Sequence, residues 1–184
     1  MNKTFFGKAL AKTSVSILWL AFLIVLGCAS GPIKSQAIIP DSYDIENKQP
    51  FTVSLHVDGG RELSPLKIPQ ISNEVLMDAL HESITLSDLF DEIIKFGEDY
   101  KLDLFIFKVS QPMAGNEMTV RVEIGWTLTH TASMEIVWQE SILTSDTASS
   151  DEEFNANNRI RLATERAAKK NIREGIRQIS QLEL

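Results

Sequence analysis

The residues that could do chemistry in this 184-residue chain are few and scattered. Its one cysteine, Cys28, stands directly behind an apolar run that closes on Val25, Leu26 and Gly27. A lone thiol there is either a buried side chain or a point of covalent modification, since it has no second cysteine to pair with. Ser64, Pro65, Leu66 and Lys67 form an S-x-x-K string, the spacing that sets a serine nucleophile one helical turn from a lysine. Pro65 and the lack of a later KTG sequence weigh against that use. His56, His81 and His130 lie far apart without HxxxH or HExxH spacing, so a zinc site would need long-range convergence. No GxSxG, P-loop or GxGxxG occurs, and no two carboxylates stand out as an acid–base couple. The expectation is a chain that is not an enzyme and uses no metal or cofactor.

Cys28 gains meaning from what precedes it. Lys3, Lys8 and Lys12 lead into Val15, Ile17, Leu18, Trp19, Leu20, Ala21, Phe22, Leu23, Ile24, Val25 and Leu26, a basic head and a short apolar core in the layout of an export signal. A spanning helix needs about 20 apolar residues, and this core is shorter. Val25-Leu26-Gly27-Cys28 resembles the lipobox of bacterial lipoproteins. The resemblance implies cleavage after Gly27 and acyl chains on Cys28, with several chains giving the firm anchoring that one cannot. Ala29, where an Asp would favour inner-membrane retention, implies an outer-membrane protein facing the periplasm.

Removal of residues 1–27 takes three lysines with it, leaving 15 of the 18 basic side chains against 25 acidic ones. That acidic balance argues against nucleic acid as a partner. Residues 28–49 are rich in Ser, Pro and polar side chains and lack helical or strand periodicity, so they read as a lipidated flexible tether. Residues 50–184 then form one domain, large enough for a real core.

Two periodicities order that domain. Phe51, Val53, Leu55 and Val57 alternate with polar residues as a half-buried strand that ends at Asp58-Gly59-Gly60. Ser72 can cap a helix that buries Val75, Leu76, Ala79, Leu80 and Ile84 and stops near Ser87. Tyr100, Leu102, Leu104 and Ile106 begin a second strand. Val120, Val122, Ile124, Trp126 and Leu128 alternate without a miss as a third, and a hairpin at His130–Ser133 leads to a fourth through Trp138. Trp126 and Trp138 are expected in the core. Ser150 and Glu153 have capping-box spacing ahead of a long last helix, with Asn155, Asn157 and Asn158 able to delay its start. The fold class is therefore α+β, in the order β-α-β-β-β-α, mostly antiparallel with two packed helices. In order and length this is similar to small envelope lipoproteins such as the lipopolysaccharide-assembly lipoprotein and the YajG-like group.

Two features could bind a partner. Arg159, Arg166, Lys169, Lys170, Arg173 and Arg177 gather on one stripe of the last helix, with Gly175 central to the apolar side. Arg166, Lys170, Arg173 and Arg177 are either solvated surface or a dock for an acidic partner or anionic headgroups. The other feature is the second face of the sheet, where Phe105, Phe107 and Val109 point away from the helices, joined by Val137 and His56. That face is either a binding patch or is covered by a helix or the tether. The functional expectation is a membrane-anchored lipoprotein that binds an envelope protein as an accessory in assembly or transport; the alternative is a carrier of a small lipid or glycan.

Overall fold

In a computed structural model of the chain, residues 31–64 and 68–184 are described. The export signal, Cys28, and Pro65 to Lys67 of the S-x-x-K string lie outside the described residues. The elements run α1 (Ser35–Ile38), β1 (Gln49–Asp58), α2 (Asn73–Ser87), β2 (Phe90–Ile93), β3 (Tyr100–Ser110), β4 (Glu117–His130), β5 (Glu135–Ser149) and α3 (Ala156–Ser180). The strands form one sheet in the order β2-β1-β3-β4-β5. β1 is parallel to both of its neighbours, whereas β3-β4-β5 is an antiparallel meander carrying the long ladders. The α+β class and the order of the major elements agree with the sequence, and β2 and α1 are additions.

The alternation in β4 sets the sheet's two faces. Val120, Val122, Ile124, Trp126 and Leu128 are all fully buried, as period-two patterning over a one-sided core requires. Facing them on α3 are Ile160, Ala163, Ala167, Ile172, Ile176 and Ile179. Gly175 lets the helix close in: a Cβ there would stand 2.5 Å from the Trp126 ring. Asn171, also fully buried, accepts from the Trp126 indole at 3.0 Å and donates to the Ile142 carbonyl at 2.7 Å. One amide thus satisfies two groups whose orphaning would cost about 1–3 kcal/mol each. Trp138, by contrast, is only half-buried, because it lies on the outermost strand.

Helix boundaries follow from capping. Ser72 Oγ accepts from Val75 N at 3.3 Å, and α2 ends at Asp88 in the left-handed region. α3 starts late, with Asn155 Oδ1 accepting from Asn157 N and Asn158 N at 2.9 and 3.3 Å, so Ser150 is not its cap.

The tether expectation is corrected over residues 33–49. Ile33 and Ile38 are buried in the core, and Ile39, Tyr43 and Ile45 pack against it. α1 lies on α2 and α3. Asn47 N donates to the Ser180 carbonyl at 3.0 Å, and Gln49 Nε2 to the Ile179 and Leu182 carbonyls. The isoleucines are too irregularly spaced to show a period, yet each buries apolar area that favours order.

The segment joining β2 to β3 crosses β1. Asp99 accepts from Thr52 N and Thr52 Oγ1 at 2.9 and 2.8 Å, and Glu98 accepts from Ser54 Oγ at 2.9 Å. These bonds to Thr52 hold the Asp99 carboxyl below its ordinary pKa. Beyond that strap, the sheet face opposite the helices is open among the described residues.

Candidate functional site

The open face carries a pair of aromatic rings that stand beside a local irregularity in β3. Phe105 pairs with Gly125 and Ile106 with Ile124, but Lys108 is the partner of Glu123, so Phe107 is an extra residue. Such a bulge twists the strand and re-aims a side chain, and bulges are over-represented near functional sites. Phe105 and Phe107 both stand outward, 45% and 58% exposed, with ring centroids 5.2 Å apart and planes at 53°. That tilted geometry is one aromatic pairs prefer.

Gly125 makes the arrangement possible. A Cβ on it would fall 2.5 Å from Phe107 Cε2, so the ring rests where any other residue would put its side chain. A glycine amid unbroken β alternation signals close approach of another group, and Gly125 carries that signal in the sequence itself.

The rings form a ridge between two surface clefts. One, of about 470 Å³, is lined by His56, Asp58, Asp103, Gln139 and Ser141 along with Phe105, Phe107 and Gly125. The other, of about 440 Å³, lies between the rings and the loop after β1, with Gly59, Arg61, Gln70 and Lys108 on its walls. Gly59, at φ +79°, is pressed so close to β3 that a Cβ would stand 2.6 Å from the Ile106 carbonyl oxygen. Asp103 is paired with Lys101 at 2.7 Å. Ser141 donates to Glu123 and Gln139 to Thr127, both at 3.1 Å. The face is therefore apolar at its ridge and polar on its flanks, the composition of a binding surface with hydrogen-bonding edges.

The other expected members of this face divide. His56 is exposed on it, whereas Val137 is exposed at a second bulge, left without a partner between Trp138 opposite Leu128 and Ile136 opposite Thr129. Val109 is not on it, because the bulge in β3 returns it to the inner face opposite Val122, where it packs against the core.

The basic stripe of α3 is largely consumed internally. Lys170 pairs with Asp146 at 2.8 Å and donates to the Ser145 carbonyl at 3.2 Å. Arg166 meets Glu152 at 2.7 Å and Asp146 at 3.8 Å. Arg177 is held by Glu174 at 2.6 Å and Lys169 by Asp41 at 3.1 Å. Arg159 is buried, donating to the carbonyls of Glu153, Phe154 and Gly115. Arg173 faces the N-terminal segment: its Nε, Tyr43 Oη and Ser83 Oγ are buried without a hydrogen-bond partner of good geometry among the described residues. Burial raises the Tyr43 hydroxyl pKa, against an opposing effect of Ser83. The Arg166 contact draws the Glu152 carboxyl down, and the Arg177 contact does the same to Glu174.

The histidines do not converge. His56 lines the larger cleft, His81 is exposed on α2, and His130 Nδ1 is 2.8 Å from Ser133 Oγ. Among the described residues no three His, Cys, Asp or Glu side chains gather as a metal would require. None of the described helices is long and apolar enough to cross a membrane.

A one-sided α+β sandwich with, among the described residues, an open aromatic face is the class that the geometry defines. Two solved structures share the α+β arrangement. A DUF330-family protein, XCC0632 of Xanthomonas campestris, is similar with TM-score 0.57 and 14% identity, over 77% of this chain and 89% of its own. Protein CT253 of Chlamydia trachomatis is similar with TM-score 0.56 and 11% identity, over 72% and 96%. A minor lipoprotein of Acinetobacter baumannii is a looser likeness, with TM-score 0.46 and 13% identity over 70% and 91%. No protein-family model matches the chain, and no curated protein matches it significantly.

Proposed function

We propose that this chain is a bacterial lipoprotein, anchored to the outer membrane through acyl chains on Cys28, that works by binding a protein partner in the periplasm through the open face of its sheet. The role is one of recognition rather than catalysis, as an accessory to envelope assembly or transport. The observation that carries the reading is the Phe105–Phe107 ridge, exposed beside a bulge and over a glycine while the opposite face of β3 and β4 is packed against the core. Exposed aromatic pairs with polar flanks are the kind of surface that supplies binding energy.

The anchor is supported by the lysine-led apolar run ending in Val25-Leu26-Gly27-Cys28. Mass spectrometry of the mature protein tests it directly: the reading expects an N-terminal Cys28 carrying acyl chains, and a free Cys28 thiol or another N-terminus refutes it. For the face, Phe105→Ser combined with Phe107→Ser should remove partners crosslinked to the acylated protein in membranes while leaving the thermal midpoint nearly unchanged.

A second reading is favoured by the clefts, whose volumes of about 470 and 440 Å³ suit a small lipid or glycan fragment. Native mass spectrometry of protein purified from membranes distinguishes the two, since a carrier retains a small molecule that the double serine variant loses.

A further inference from the structure

We infer that the chain, anchored at Cys28, holds its helical layer toward the bilayer and turns the Phe105–Phe107 face away from it. The inference rests on the lipid-anchor reading and adds an orientation to it. Among the described residues Gly31 has nothing within 4 Å of its Cβ direction, whereas Ile33 is 3% exposed, so the chain is held in the domain from Ile33 onward. From Cys28 to Ile33 is five residue steps, a leash of at most about 18 Å.

The leash attaches on one side of the molecule. Ile33 and Ile38 are core residues, and α1 packs on α2 and α3, the layer opposite the open face. To bring that face to lipid, the leash would have to round the domain. Half the width of five strands is about 12 Å at 4.8 Å spacing, and the helix layer adds about 10–12 Å. That path is longer than the leash. A 20-residue flexible tether would have left orientation free; the burial of Ile33 and Ile38 removes that freedom. A partner of the open face therefore approaches from the aqueous side, at a height set by the domain's own thickness.

The test uses acylated full-length protein in phosphatidylcholine vesicles that contain a headgroup spin-labelled lipid. Gln36→Cys on α1 and Gln139→Cys on β5, both at exposed positions, carry a fluorophore one at a time, since acylated Cys28 does not label. The Gln36→Cys probe should lose fluorescence and the Gln139→Cys probe should not. Inserting a 20-residue Gly/Ser linker between Gly31 and Pro32 should erase the contrast. Equal quenching at native length, or stronger quenching from Gln139→Cys, overturns the orientation. A mass spectrum of the same sample that shows Cys28 without acyl chains overturns the anchor, and the orientation with it.

Discussion

The inner and outer faces of β3 and β4 are made by the same residues of chain in alternation, yet they solve opposite problems. Inside, beneath β4, the polar groups are answered: Asn171 serves both Trp126 and the Ile142 carbonyl, and Gly175 admits the indole to contact. Outside, two aromatic rings stand in solvent, and Gly125 leaves the room that the Phe107 ring occupies beside the bulge. The inner glycine improves packing within the fold, whereas the outer one prepares a surface that the fold itself does not need. Stability and recognition are thus separable on two sides of one sheet, and substitutions should sort by side.

The largest effect is expected inside. Trp126→Ala should cost about 3–5 kcal/mol and leave Asn171 without its indole donor, measured as a fall in the denaturant midpoint. Trp138→Ala, on the half-buried edge, should cost clearly less; equal losses would mean that the edge is packed as tightly as the centre. Gly175→Ala should follow at about 1–3 kcal/mol through overpacking against the indole, and a neutral result would show that α3 yields more easily than its contacts imply.

Next come the paired charges of α3. Reversing Arg166 and Lys170 to Glu places two acids beside Asp146, which has only 14% of its side chain exposed. A loss of about 1 kcal/mol is expected, recovered in part by Asp146→Lys. If stability holds while partner capture is lost, the stripe is a docking site and the comparison fails. On the outer face, Phe105→Ala with Phe107→Ala should change stability by only about 0.5 kcal/mol and act chiefly on binding.

The smallest effect is in pH. Glu174 and Glu152 have folded-state pKa values below the ordinary 4.5 because of Arg177 and Arg166. Their stabilisation is complete above that ordinary value and is lost as pH falls through the lowered one. Being exposed, these pairs should shift an acid-unfolding curve only slightly, and Arg177→Gln should remove part of that shift.

Much of the fold was legible in the sequence because β4 alternates without interruption and α2 and α3 carry clear caps and apolar faces. β2 was not, since Phe90–Ile93 is only four residues and takes its identity from lying beside β1. The order of the N-terminal segment is not legible because its isoleucines have no period and order arises only when Ile33 and Ile38 meet two helices. At the site, counting places Phe105 and Phe107 on the outer face but fails at Val109, which lies opposite Val122 on the inner face: a bulge changes parity, and no residue type announces it. The fate of the basic stripe was illegible for a different reason. Asp146, Glu152 and Asp41, which neutralise it, are brought to α3 from β5, the β5–α3 turn and the N-terminal segment only by the tertiary fold.

The central claim is that partners meet the open face and not the helices. It is tested most directly by placing a photo-crosslinking amino acid at Phe107 and, separately, at Lys170 in cells, with the native chain otherwise intact. The account predicts a discrete adduct from the Phe107 position that vanishes when Phe105→Ser is added, and none from the Lys170 position. Adducts from Lys170 alone would contradict it.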